Sequence, residues 1–193
     1  MKIYSLLTLE NGIACIYSDN NKLDCLDFKD RYWKYMDDSV PFENWEALHI
    51  YTNSFINKRK KTYDVLHHNV LFVIVNEKSK ALIEKKFSDC IQFLEVINDD
   101  DLSNKYYLLN PFRSIDGLDI DRSKCNFMPS SRIPGIIYKY EFKNDVEYFP
   151  IFKLKYEGAV YNMRMYATDE FKDFIEENGI TGLDFEEVFD FNG

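Results

Sequence analysis

Three aspartates in the middle of the chain are close enough in sequence to do chemistry together. Asp116, Asp119 and Asp121 are followed at once by Arg122 and Ser123. Carboxylates are ligands for Mg²⁺ and Ca²⁺, so this cluster could serve a metal-dependent enzyme. Its spacing lacks the D-x-D-x-D-G ladder of a calcium loop. Isolated acidic clusters usually lie on the surface, so the sequence favours a solvated strand rim with an Arg122 salt bridge.

Other catalytic arrangements are not visible in the sequence. There is no G-x-S-x-G, no glycine-rich phosphate loop and no H-E-x-x-H. His67 and His68 are adjacent, so their side chains would diverge on a strand or a helix, and no third ligand lies at a useful spacing. The four cysteines form no Cys-x-x-Cys pair and are expected to be reduced, buried thiols. We therefore predict no catalytic residue, no metal and no cofactor, and we expect the protein not to be an enzyme.

Aromatic residues exceed the needs of an ordinary core, with 16 Phe, 14 Tyr and 2 Trp. Trp33 and Tyr35 lie in a short aromatic stretch, Asp30–Asp38, and Trp45 begins a predicted strand, Trp45–Thr52. Trp and Tyr are favoured anchors of protein interfaces. We predict these three residues, together with Asp116, Asp119 and Asp121, as partner-binding residues. Two alternatives remain: the aromatics close a satellite core, or they line the pocket of a small-molecule-binding module.

The charge of the chain indicates which partners it disfavours. The net charge is −9, and residues 98–193 carry 11 basic and 19 acidic groups against 13 and 14 in residues 1–97. An acidic half disfavours nucleic acid and anionic membranes, because phosphate binding needs Lys and Arg. It favours basic partners or solubility alone. No apolar run approaches the roughly 18 residues of a membrane span, and no signal sequence is evident. We expect a cytoplasmic protein without a membrane partner.

Two similar segments organise the chain. Residues 76–96 align without a gap to residues 168–188, with six identities in 21 positions. The first is predicted to hold a helix over 77–87, with Asn76 as its N-cap and with Ala81, Leu82 and Ile83 facing the sheet. In the second, Thr168 is the predicted N-cap and Phe171, Phe174 and Ile175 form the apolar stripe. Gly179 is predicted to end that helix and Gly182 to allow a tight entry into the next strand. Each helix is expected to connect parallel strands as a right-handed crossover.

The remaining segments read mostly as strands. We predict a hairpin of Lys2–Leu9 with Ile13–Tyr17, and a second antiparallel pair of Ile136–Phe142 with Tyr148–Lys155. Val70–Val75 is a continuous apolar run and is expected to be a strand buried on both faces. The predicted fold class is α+β, with mixed or antiparallel β-sheets and two strand–helix–strand units. We expect one domain over 1–193, made of an N-terminal part (1–62), a first unit (63–97), a strand-rich middle (98–159) and a second unit (160–193).

The order of these segments resembles an immunity-protein family of bacterial polymorphic toxin systems, long filed as a domain of unknown function. The family similarly shows a Ser-Glu-Lys helix after a strand, a Leu-Asn strand leading to an Asp-x-x-x-Ser element, and a Gly-x-x-Gly-x-x-Phe segment near its end. The resemblance covers about residues 64–189, and Asn76 stands where Ser is more usual. The matching residues are Tyr107, Leu109, Asn110, Asp116, Asp119, Ser123, Phe152, Gly179, Gly182 and Phe185.

The resemblance implies a function that the residues alone do not. It implies a cytoplasmic protein that binds and neutralises a cognate toxin and has no activity of its own. The type of toxin is not implied, because the partner-binding surface varies within such a family, and we expect residues 1–62 to form a variable part. The acidic second half of the chain would suit a basic, nuclease-like toxin.

Overall fold

The computed structural model describes residues 1–8, 14–17, 41, 43, 45–53, 63–68, 72–99, 101–127 and 134–193. Within these residues the fold is α+β, as the sequence predicts, with mixed sheets and two helices. In chain order the elements are β1 (Lys2–Thr8), β2 (Ala14–Tyr17), β3 (Leu48–Asn53), β4 (Val65–His68), β5 (Val73–Asn76), α1 (Glu77–Phe87), β6 (Ile91–Asn98), β7 (Tyr106–Pro111), β8 (Ser114–Ile115), β9 (Lys124–Phe127), β10 (Pro134–Lys139), β11 (Ile151–Tyr156), β12 (Ala159–Thr168), α2 (Asp169–Glu177) and β13 (Leu183–Asp190).

The strands form two main sheets and a ribbon. The first is a five-stranded sheet in the order β13-β1-β12-β11-β8, in which only the β11–β8 pair is parallel. The second closes into a barrel in the order β2-β3-β6-β7-β5-β4. Among the described strands, β9 and β10 pair only with each other, and we call this antiparallel pair the ribbon.

The two strand–helix–strand units have the same local topology. In the first unit, β7 pairs antiparallel with both β5 and β6, so the two strands that α1 connects are parallel. In the second unit, β1 pairs antiparallel with both β12 and β13, so the strands that α2 connects are parallel as well. The predicted parallel connections are confirmed, and in each unit an antiparallel strand lies between the two.

Helix α1 begins and ends as the sequence predicts. The Asn76 side chain accepts a hydrogen bond from the Ser79 amide at 2.9 Å, which satisfies one of the free donors of the first turn. The buried face consists of Ser79, Ile83 and Phe87, spaced by four residues. The prediction that Ala81 faces the sheet is wrong, because that stripe turns Ala81 toward solvent.

Helix α2 follows the same plan with a different first turn. Thr168 occupies the N-cap position without a side-chain capping bond. The Asp169 carboxylate instead accepts hydrogen bonds from the Lys2 amide at 2.8 Å and the Tyr4 hydroxyl at 3.0 Å, which ties the helix start to β1. Phe171 and Ile175 are buried as predicted. The backbone of Gly179 has φ 62°, the left-handed conformation expected of a residue that ends a helix.

Both predicted hairpins are wrong. Strand β1 pairs with β12 and β13, while β2 pairs with β3 and β4. In the middle of the chain, β10 pairs with β9, and β11 pairs with β12 and β8. At the N-terminus the adjacent partner is replaced by distant strands, whereas in the middle β10 pairs with the strand before it and β11 with the strand after it. A local apolar pattern indicates that a strand has a buried face, but it does not indicate which strand lies beside it.

Three apolar clusters make up the core of the described part of the chain. The largest draws on both main sheets and both helices, and β5 contributes Val73 and Val75 to it. On the opposite face of β5, Ile74 belongs to the cluster inside the barrel. This strand is therefore buried on both faces, as its continuous apolar run predicts. The third cluster lies on the other face of the five-stranded sheet and includes Phe142, Phe152 and Tyr166.

Candidate partner-binding surface

The three predicted aspartates lie in one loop, residues 116–123, which we call the aspartate loop. Their carboxylates do different things. Asp116 is exposed and its Oδ1 lies 2.8 Å from Lys143 Nζ. Asp119 Oδ1 accepts a hydrogen bond from the Arg122 amide at 3.2 Å. Asp121 is exposed, with no ion pair among the described residues. Across the described ranges, no three His, Cys, Asp or Glu side chains are placed to hold a metal ion together.

The aspartate loop is held closed by the backbone of Glu141, a residue that the sequence analysis did not single out. Ser123 Oγ accepts a hydrogen bond from the Glu141 amide at 3.0 Å and donates to the Glu141 carbonyl at 3.3 Å. The Asp119 amide donates to the same carbonyl at 2.8 Å. Asp119 and Ser123, which match the Asp-x-x-x-Ser element, thus fix the loop against the chain at Glu141.

The expected salt bridge of Arg122 is present, with Glu141 as its partner. The Glu141 carboxylate lies 3.4 Å from Arg122 Nη2 and 2.6 Å from Lys139 Nζ. The hydrogen bond from Lys139 is the main cause that lowers the pKa of Glu141. The carboxylate joins the aspartate loop to the end of β10, and no signal in the local sequence indicates this pairing, because Glu141 is 19 positions beyond Arg122.

The predicted aromatic anchors separate into two groups. Trp45 is half-buried, donates from Nε1 to the Glu95 carbonyl at 2.8 Å and packs against the apolar cluster of the barrel. It therefore closes a satellite of the core, which is the alternative reading of these aromatics. Trp33 and Tyr35 lie outside the described residues, and their role in partner binding stays a prediction.

The ribbon carries exposed apolar side chains that the sequence analysis missed. Ile136 is 58% exposed and Tyr138 is 62% exposed, whereas Ile137 between them is buried against the five-stranded sheet. Phe127, at the end of β9, is 46% exposed and its ring lies 6.3 Å from that of Tyr156. The signal was the alternation around Ile137, which we assigned to the wrong strand pair. Apolar side chains exposed together on one face are typical of a contact surface.

The negative charge of the protein is concentrated in the second unit. Residues 169–190 contain nine acidic residues and one basic residue, a net of −8 out of −9 for the whole chain. Part of it is neutralised by ion pairs, such as Glu187 with Lys2 at 2.7 Å and Glu186 with Arg164 at 3.1 Å. Strand β13, which carries four of these acids, is the outermost strand of its sheet, and none of its eight residues is buried.

No helix in the described part of the chain is long and apolar enough to cross a membrane. Cys90 is a free, buried thiol as predicted, and burial raises its pKa to about 12, so it is not suited to act as a nucleophile near neutral pH. Cys125 is free and half-buried.

Comparison with known proteins identifies the family. No curated protein shows a significant sequence match to the chain. The family model described as the immunity protein family, Imm11, matches residues 11–190. The match covers the barrel, the aspartate loop, the ribbon and the second unit, and it agrees with the immunity-protein resemblance of the sequence. The chain therefore belongs to the Imm11 immunity protein family.

Proposed function

We propose that this protein neutralises a cognate bacterial toxin of a polymorphic toxin system by binding it stoichiometrically in the cytoplasm. The observation that carries the proposal is the family match over residues 11–190. Immunity by binding requires only a surface that complements the toxin and a fold rigid enough to hold it. No chemical step by the immunity protein is needed.

Two features of the surface support a protein partner. The exposed face of the ribbon, with Ile136 and Tyr138, offers apolar area of the kind that becomes buried in interfaces. The second unit offers a high density of negative charge, which would steer a basic toxin and speed its capture. Of the three aspartates proposed as contacts, Asp121 is the one whose carboxylate remains available, since Asp116 faces Lys143 and Asp119 holds its own loop.

The test is co-expression with the product of the neighbouring gene. We expect the two proteins to co-purify as a complex of fixed composition, and we expect cells that express the toxin to grow only when this protein is also present. The variant Gly182→Asp is expected not to fold and serves as the negative control, because a Cβ at this position would lie 2.7 Å from the Val65 carbonyl oxygen. No complex together with no rescue of growth would contradict the proposal.

A further inference from the structure

Strand β13 has one edge without a partner among the described strands. It pairs with β1 over its full length, from Leu183 opposite Thr8 to Asp190 opposite Lys2, and it ends the order of its sheet on that side. An edge strand presents a row of N–H and C=O groups that can pair with another chain. This edge strand has eight residues, whereas the strand at the opposite edge of the same sheet, β8, has two.

One backbone donor of β13 is already turned away from β1. The Phe185 amide donates to Asp184 Oδ1 of its own strand at 2.9 Å. In an antiparallel pair, every second residue directs its N–H and C=O away from the partner strand. Phe185 is such a residue, and the Asp184 carboxylate occupies its amide in the free protein. An incoming strand would offer a carbonyl to this amide and release the Asp184 carboxylate for a cation.

The charges along β13 restrict what can pair with this edge. Asp184, Glu186 and Glu187 are all exposed. Glu186 and Glu187 have intramolecular cations, whereas Asp184 has no ion pair among the described residues. A second copy of β13 laid against the edge would bring carboxylates opposite carboxylates, which is unfavourable. A strand with Lys or Arg at alternate positions would instead place opposite charges side by side, so the edge selects for a basic strand.

We propose that the β13 edge of this protein accepts an extended, Lys- and Arg-bearing segment of the toxin as an added sixth strand. Main-chain hydrogen bonds to the edge would supply the affinity, and the carboxylates of Asp184, Glu186 and Glu187 would supply the selectivity. This inference rests on the proposed function and names the element and the chemistry by which the toxin is recognised.

Amide hydrogen exchange tests the inference on the unmodified protein. The probe is the purified toxin domain encoded by the neighbouring gene. In the complex, exchange of the outward-facing amides in 183–190, and of Phe185 in particular, is expected to slow by at least about tenfold, because each of them gains a hydrogen bond. The amides of β6, 91–98, which lie between β3 and β7 in the barrel, are expected to exchange at unchanged rates.

Paired charge reversals test the selectivity of the edge. The double variant Asp184→Lys with Glu186→Lys is expected to weaken binding by at least about tenfold. The control, Asp173→Lys with Glu177→Lys, makes the same change in net charge on the exposed face of α2. It is expected to weaken binding by no more than about threefold. Thermal unfolding of both variants checks that they are folded.

The outcomes separate the two proposals. If the wild-type protein forms no complex with the toxin domain, the proposed function fails and the edge inference falls with it. If a complex forms but the outward amides of β13 keep their exchange rates, only the edge inference is overturned. Equal losses of affinity from both double variants would also overturn it, because general charge and not the edge would then explain the binding.

Discussion

At the residue scale, Asp64 holds the two strand–helix–strand units together. Its Oδ2 accepts hydrogen bonds from the Thr181 amide at 3.0 Å and the Thr181 hydroxyl at 2.9 Å. Its Oδ1 accepts from Asn76 Nδ2 at 3.0 Å, and Asn76 is the residue that caps α1. Partial burial alone would raise the pKa of Asp64, but the hydrogen bonds from Thr181 and Asn76, with the nearby charge of Lys78, together lower it. The ionised form is therefore the one that the fold stabilises.

The lowered pKa of Asp64 determines how the stability of the protein should depend on pH. A pKa held below the ordinary value of 3.8 contributes stability above that value, and the contribution is lost as the pH falls through the folded pKa. We expect Asp64→Asn to lower the free energy of unfolding by about 1–2 kcal/mol near pH 7. The difference from wild type should shrink below about pH 4. Urea unfolding at both pH values measures it, with the exposed Asp173→Asn as the control; a difference that does not change with pH would contradict this role of Asp64.

Gly182 is the second residue on which the junction of the two units depends. Its φ is 101°, and a Cβ there would lie 2.7 Å from the Val65 carbonyl oxygen and 2.9 Å from Tyr63 Cβ. Gly179 also has positive φ, but nothing lies within 4 Å of its position for a Cβ. We expect Gly182→Ala to lower the free energy of unfolding by about 3 kcal/mol and Gly179→Ala by about 1 kcal/mol. Chemical denaturation measures both, and equal losses would show that the close contact with Val65 does not matter.

The residues of this junction differ in how far the sequence could predict them. Asn76, Gly179 and Gly182 were predictable, because caps and turns depend on the residue itself and its immediate neighbours. The role of Asp64 was not, because its partner Thr181 is 117 positions away and nothing local indicates the contact. The role of Glu141 was not predictable for the same reason, because it closes the aspartate loop from a different segment of the chain.

At the element scale, the two helices pack against each other through aromatic rings. Phe87 at the end of α1 lies 5.2 Å from the ring of Phe171 and 5.1 Å from the ring of Phe174, both on α2. Phe87 and Phe171 are fully buried, while Phe174 is half-buried at the margin of the cluster. The amphipathic stripe of α2 predicted which residues face inward. It could not predict that they would meet the other helix.

A pair of truncations tests this packing. Phe87→Ala is expected to lower the free energy of unfolding by about 3–5 kcal/mol, because it leaves a cavity between the helices that the surroundings fill only in part. Phe174→Ala is expected to cost about half as much, because its ring already meets solvent. Denaturant unfolding compares the two. A loss from Phe174→Ala that equals or exceeds that from Phe87→Ala would contradict the central position of Phe87.

The sequence predicted which segments form strands, but it did not predict which strands pair with each other. The strand composition of 2–9 and 13–17 was right in kind, and both segments contain strands. Their partners were wrong, because β1 lies between β12 and β13, more than 150 positions later in the chain. A local pattern records that one face of a strand is buried, but it does not record what buries it. The parallel connection through each helix was predictable, since a helix of this length returns the chain to the same sheet.

At the scale of the whole molecule, the same strand–helix–strand topology occurs twice, once in a closed barrel and once in an open sheet. In the first unit the parallel strands belong to a closed barrel, which has no free edge. In the second unit they belong to an open sheet, and the last strand is left at its edge. Nearly all of the net charge lies in that second unit. The repeat therefore explains the scaffold, and the difference between its copies is what the proposed strand addition at β13 relies on.

Charge at this scale predicts how binding should respond to salt. If a basic toxin is steered by the acidic second unit, raising the ionic strength from about 0.05 M to about 0.5 M should lower the association rate by at least about tenfold. The dissociation rate should change much less, because rim charges act mainly on encounter. Stopped-flow association with the toxin domain measures both rates. An association rate independent of salt would contradict the expectation of a basic partner.

The central claim is that this member of the Imm11 family acts by binding a toxin and not by chemistry of its own. The most direct measurement is calorimetric titration of the purified protein with the toxin domain encoded by the neighbouring gene. The account predicts a single binding step with a stoichiometry of about one and a dissociation constant below about 1 μM. Loss of toxin activity should reach completion at the same molar ratio. Neutralisation of the toxin by substoichiometric amounts of this protein would contradict the account. So would a failure to neutralise the toxin at any molar ratio.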